Sequence, residues 1–167
     1  LLKLNFWFSL IIAIVFAAFF GLAVNVLIYK KFRQRKASPV ILLVVSFALL
    51  ILFESLILLF FGADVKTIGY VKIAKGLEIA GAIITPLQIF IIFTSFLLFG
   101  LFLFFMKKTK MGKAIRAVSD NKQVAEIVGI STEKIYNWVF IIGSIGAGIA
   151  GILGGLEQNL EPTMGTA

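Results

Sequence analysis

The chain has 167 residues, 60% of them hydrophobic and 14% charged, with a net charge of +8 and a mean hydropathy of +1.07. That much apolar surface excludes a water-soluble domain and predicts an integral membrane protein, in which the placement of basic residues reports orientation rather than nucleic-acid binding. Cysteine and histidine are both absent, which excludes disulfides, thiolate or imidazole metal ligands and the usual imidazole base, so no catalytic residues, metal or cofactor are expected.

Lys3 precedes an apolar run about twice the length of a signal-peptide core, with no small-residue cleavage site after it, and the chain reads as an internal segment of a longer membrane protein. Leu4 to Tyr29 is 26 residues without a charge, enough at ~1.5 Å per residue to cross a hydrocarbon core of about 30 Å with some tilt. Asn5 and Trp7 mark one interface of this first span and Tyr29 the other. Five bases follow without an acid: Lys30, Lys31, Arg33, Arg35 and Lys36. Pro39 opens the second span, 40–61, which carries Glu54 about two turns from its far edge. A carboxylate at that depth faces a bundle interior, a partner or a water-filled path, or else is protonated or snorkels to the interface; Glu54 is the candidate intramembrane polar site.

The loop 62–86 is long for a connection. Its TIGYVKI and LEIAGAI stretches are β-branched and apolar enough to pair as a hairpin around Ala74, Lys75 and Gly76, serving as a docking surface or as a lid on the helices. The third span is 87–106 and the fourth 138–156. Between them the loop 107–137 holds seven bases against three acids, whereas the loop 62–86 has only Lys66, Lys72 and Lys75. The positive-inside rule then places loops 30–39 and 107–137 in the cytoplasm and loop 62–86 outside.

Two short helices are predicted in the loop 107–137. Met111, Ile115 and Val118 share one helical face; Val124, Ile127 and Val128 share another; and the step from Val118 to Val124 breaks the phase at Ser119, Asp120 and Asn121. Asp120 or Ser119 is the expected N-cap of a second helix, 122–128, with Gly129 as its left-handed ending. The first helix, beside Lys107, Lys108, Lys110 and Lys113, suits a lipid surface. The second, flecked by Asp120, Glu126 and Glu133, suits a protein partner.

The fourth span carries small residues at helical spacing, Gly143, Ala147, Gly151 and Gly155, with a second line through Gly146, Ala150 and Gly154. Small residues let helix backbones approach closely in lipid, so the line reads as a packing surface or as a helix that slides on its neighbours. Two motif matches are accidental. Gly146, Gly148 and Gly151 fit G-x-G-x-x-G, but no strand precedes them; Gly112 and Lys113 resemble a phosphate loop that has Lys107 in place of its first glycine and Ala114 in place of Ser or Thr.

MGKAIRAVSDNKQVAEIVGISTEKIYNWVFIIGSIGAGIAGILGG followed by EPTMG resembles the cytoplasmic loop and following helix of the branched-chain amino acid ABC importer permeases, the LivH-like subfamily in particular. The resemblance rests on Gly112, Ala114, Arg116, Ala117, Asp120, Ala125, Gly129, Ile130, Pro162 and Gly165, and on GAIITPLQ before the third span. It implies an all-α polytopic permease domain, incomplete, with four transmembrane helices, a cytoplasmic coupling-helix loop and a small extracytoplasmic hairpin-like loop. It also implies two ABC ATPase subunits, a second permease subunit, an extracytoplasmic substrate-binding protein and a small amino-acid substrate. In that picture Asp120, Ala125, Glu126, Gly129 and Ile130 couple the loop to the ATPase. Glu54 departs from the family, where an uncharged polar side chain is common. A permease for urea or short amides and a non-transporting membrane interaction protein are the alternatives.

Overall fold

The computed structural model describes residues 6–62, 64, 77–79 and 82–157. Proline and hydroxyl residues set where its helices begin. Ser38 is extended and Pro39 takes the first helical position, where its missing N–H costs nothing, to start α3, Pro39–Phe61. Thr85 accepts from the Gln88 amide at 3.3 Å while the Gln88 side chain accepts from the Thr85 amide at 3.1 Å. This reciprocal capping box starts α4, Pro86–Lys108.

Ahead of these lies one continuous helical rod: α1, Phe6–Val24, a π-helical turn, Asn25–Tyr29, and α2, Lys30–Gln34. After α4 come α5, Lys110–Asp120, α6, Lys122–Ile127, and α7, Thr132–Glu157. Among the described residues, four helices are long and apolar enough to cross a membrane: Phe8–Gln34, Pro39–Phe61, Pro86–Lys108 and Thr132–Glu157. The first and last run past the apolar stretches expected from the sequence, to Gln34 instead of Tyr29 and from Thr132 instead of Trp138. Hydropathy marks where lipid ends; the backbone goes on bonding as a helix beyond it.

Between α3 and α4, β1 (Leu77–Ile79) pairs antiparallel with β2 (Ala82–Ile84), Glu78 opposite Ile83. Both strands come from the LEIAGAI stretch and the residue after it, so this ladder is not the expected pairing of that stretch with TIGYVKI across Ala74, Lys75 and Gly76; those residues lie outside the described ones.

α1 packs chiefly on α7. A Cβ on Gly21 would collide with the Ser144 side chain and lie 3.3 Å from the Phe140 carbonyl oxygen, and one on Gly148 would lie 3.0 Å from the Ala17 Cβ. The two backbones meet where both helices are small. α3 leans on the same rod through Phe20 and Phe53, edge to face at 4.8 Å, and a 2.7 Å hydrogen bond between the Tyr29 and Ser46 hydroxyls. Most large apolar side chains of the spans are exposed, as lipid-facing helices require. The buried apolar cluster lies beyond the apolar runs of the spans, where water drives burial: Val118 of α5, Ala125 of α6 and Ile135 in the first turn of α7, flanked by Met111, Ala114, Ile115, Ile130 and Tyr136.

Candidate functional site

The loop between α4 and α7 is shaped by its turns. Thr109 donates to the Phe105 carbonyl at 2.7 Å, closing α4, and accepts from the Gly112 amide at 3.0 Å, opening α5. The chain folds back so tightly that a Cβ on Gly112 would stand 2.6 Å from the Phe105 carbonyl oxygen, which accounts for a glycine there. Asn121 is the next hinge, ending α5 and capping α6 through its Oδ1, which accepts from the Val124 amide at 3.1 Å. The cap expected at Asp120 or Ser119 falls on Asn121 because both predecessors stay helical, and Asn121 is the first residue with extended backbone.

α6 ends at Gly129, whose φ of +84° strains any side-chain-bearing residue. The Gly129 amide donates to the Glu126 carbonyl at 3.0 Å and the Ile130 amide to the Ala125 carbonyl at 2.9 Å. These are the two bonds of a Schellman ending, and Ile130 supplies the apolar contact that accompanies it. With both ends fixed, the helix has a fixed orientation. Ala125 is 2% exposed and faces the cluster of Val118 and Ile135; Val124, Val128 and above all Ile127, 83% exposed, face outward.

The residues singled out by the sequence therefore divide. Ala125 and Ile130 seat α6 on the loop's own core, and Gly129 makes its turn. Asp120 and Glu126 lie on the surface, Glu126 accepting from the Thr132 hydroxyl at 2.7 Å and facing Lys122 at 3.9 Å. The outward apolar face is Val124, Ile127 and Val128.

In α7, the line Gly143, Ala147 and Gly151 is exposed, with open space where a Cβ of either glycine would stand, while Gly155 is buried. The close approach to α1 uses the neighbouring line, Phe140, Ser144 and Gly148, with Tyr29 and Phe140 rings 5.0 Å apart. Gly143 instead borders an apolar hollow of about 160 Å³ between α4, α5 and α7, lined also by Phe102, Phe105, Met106, Ile115, Val139 and Ile142. Glu54 lies half-buried in α3 beside Phe53, and its carboxylate has no hydrogen bond or ion pair among the described residues.

Sequence reasoning missed a polar junction between α1, α2 and α7. Asn25, fully buried, donates to Asn137 Oδ1 at 2.7 Å and accepts from an Arg33 terminal nitrogen at 2.9 Å. Arg33, its side chain 10% exposed, faces Glu133 at 3.5 Å and stacks 4.2 Å over the Tyr136 ring. The junction sits at the π-helical turn, where the Lys30 amide reaches back to the Asn25 carbonyl and the helix widens by a residue. It also brings the two basic loops to one end of the molecule. One signal pointed here: Asn25 is a lone amide deep in a run of apolar residues, with Asn137 at the edge of another.

The chain is 27% identical over 147 residues to the high-affinity branched-chain amino acid transport system permease protein LivH of Escherichia coli K12 and, equally, of Salmonella typhimurium, covering 84% of this chain and 46% of each relative. It is 32% identical over 87 residues to BraD of Pseudomonas aeruginosa, covering 51% of this chain and 28% of that protein. The chain thus spans about half the length of the curated LivH relatives it matches. No solved structure gives a significant match. The family described as branched-chain amino acid transport system / permease component matches residues 1–166. That match leaves out only the last residue, and the chain belongs to the branched-chain amino acid transport permease family of multi-pass membrane proteins.

Proposed function

We propose that the chain is membrane-spanning machinery of an ATP-driven importer of branched-chain amino acids, working by alternating access. Its partners in this reading are two ABC ATPase subunits, a second permease subunit and an extracytoplasmic substrate-binding protein. The LivH and BraD relatives carry the substrate class in their names. One observation supports the rest: α6 is a short helix capped at both ends, whose apolar outer face of Val124, Ile127 and Val128 is left uncovered at the basic end of the molecule. An apolar face held this rigidly suits a groove on an ATPase.

Pressing on that face moves Ala125 and Ile130 against Ile135 and so displaces the start of α7. The positive-inside rule puts α6 and the loop 30–39 in the cytoplasm of a cell whose inner membrane the spans cross. Glu54 is the one acid within the spans' apolar runs, which suits passage of a small zwitterion with an aliphatic side chain. The exposed line Gly143, Ala147 and Gly151 offers close approach to a further helix, such as one of the second permease subunit.

Ile127→Asp tests the reading, because a side chain that touches almost nothing in its own chain can be changed without unfolding it. The variant should insert normally, retain about a tenth of the co-purifying ATPase, and lose leucine uptake in proportion. Undiminished co-purification and uptake would remove α6 from the coupling role. Uptake of urea in place of leucine by the unaltered importer would keep the machinery and change the substrate.

A further inference from the structure

Besides the apolar contact of Ala125 and Ile130 with Ile135, two polar contacts of α6 lead inward to one residue. Glu126 of α6 holds the Thr132 hydroxyl at the start of α7, one residue from Glu133, which faces Arg33 at 3.5 Å. Lys122 of α6 lies 6.0 Å over the Tyr136 ring, and Arg33 lies 4.2 Å over the same ring. Arg33 in turn donates to Asn25, which donates to Asn137 of α7. The first helix is thus tied to the last by a buried cation with partners on both, directly above the contact of Gly21 with Ser144.

We infer that Arg33 is a positioning residue that joins the α1–α2 rod and α7 into one moving body, so that a push on α6 carries both helices together. The inference rests on the importer reading for the source of the push.

Arginine suits the task because its planar fork engages two acceptors in fixed directions, as a lysine ammonium does not. The grip also has slack. The distance of 3.5 Å to Glu133 exceeds the ~2.7–2.9 Å of a tight charge-assisted bond, and the buried Arg33 Nε has no acceptor among the described residues. Glu133 can close in, or swing one oxygen onto Nε, without Arg33 releasing Asn25. The contact therefore tolerates a change in tilt of α7. Among the described residues, α3 is tied to the rod by an exposed hydroxyl pair and a ring contact, with no buried charge between them.

The absence of native cysteine in this chain makes a clean cross-linking test. Gly148 and Ala17 bring their β positions to 3.0 Å, close to the ~3.5–4.5 Å of a disulfide, so an Ala17→Cys, Gly148→Cys pair should oxidise readily in the assembled importer. If α1 and α7 move together, the oxidised pair keeps ATP-driven leucine uptake within twofold of the reduced form. Loss of uptake on oxidation, regained on reduction, would overturn the inference while leaving the importer reading intact.

A second arm separates positioning from mere scaffolding. Arg33→Glu should leave the ATPase bound yet raise the ATP hydrolysed per leucine imported at least fivefold, and adding Glu133→Arg should recover half or more of the loss. An unchanged ratio counts against Arg33, as does an equal fall in hydrolysis and uptake. Should the unaltered chain bind no ATPase and import no leucine, the importer reading fails by itself. The oxidation rate of the cysteine pair then decides the clamp: slowing of about tenfold by Arg33→Glu, reversed by Glu133→Arg, supports it, and equal rates reject it.

Discussion

α1 and α3 are both apolar helices of spanning length, yet they are attached to the rest of the molecule in different ways. α1 meets α7 through small residues in backbone contact and a buried cluster of amide, guanidinium and carboxylate. α3 is exposed on most of its circumference and touches the rod at a ring pair and a hydroxyl pair. In lipid, apolar surface alone gives no adhesion, because the tails solvate it as well as another helix does. What holds two spans together is close approach and polar bonding, and among the described residues the α1–α7 pair has both. α3 is equipped to face lipid or a partner; α1 is equipped to stay with α7.

The largest effect should come from filling the closest approach. Gly21→Leu places a side chain where the Ser144 side chain already lies, and no rotamer avoids the first carbon, so the helices must separate. A cost of about 3 kcal/mol is expected, the upper end for overpacking, seen as a large drop in the unfolding temperature of the purified protein. The same change at Gly100 of α4 meets open space and should stay within about 0.5 kcal/mol of no change. Equal effects at the two positions would erase the distinction between attached and unattached helices.

Why part of this arrangement was legible in the sequence follows from what hydropathy measures. The four spans announced themselves because lipid demands apolar residues at every position over a fixed length, and Gly129 announced the end of α6 because φ of +84° leaves few alternatives. The facing of α7 did not. Its glycines run along several faces, and spacing alone cannot say that Ser144 and Gly148, rather than Gly143 and Gly151, meet α1. That depends on where Gly21 sits on another helix. Arg33 was hidden for a related reason: in a run of five bases it read as one more solvated charge, and only the fold brings Asn25, Tyr136 and Glu133 around it. LEIAGAI and the residue after it supply both strands of the short ladder between α3 and α4.

A smaller effect sharpens the polar half of the comparison. Asn25→Leu removes the acceptor of one Arg33 bond and the donor of the Asn137 bond, and leaves the guanidinium with less compensation in a buried site. The expected loss is about 1–2 kcal/mol, near the upper end for polar contacts between membrane helices. Ser46→Ala removes the corresponding tie of α3 to Tyr29 at an exposed position, where the Ser46 hydroxyl also donates to the Leu42 carbonyl within its own helix. About 0.5 kcal/mol or less is expected there. Unfolding followed in parallel for the two variants would measure the difference directly.

The smallest effect belongs to an ion pair that resembles the Arg33 contact on paper. Lys122 and Glu126 are 3.9 Å apart, one helical turn from each other, with side chains 46% and 50% exposed. Water screens them, and two mobile side chains must be ordered to meet, so such a pair contributes roughly 0.3–0.5 kcal/mol. Lys122→Ala also gives up a contact with the Tyr136 ring that, at 6.0 Å, lies at the limit of useful cation–π attraction. Glu126 keeps its bond from the Thr132 hydroxyl after the change, so α6 stays seated. The variant should therefore unfold within about 0.5 kcal/mol of the unaltered protein. A loss as large as that from Asn25→Leu would mean that exposure does not separate the two charged contacts, and that α6 is held by its surface charges instead of by Ala125 and the Gly129 turn.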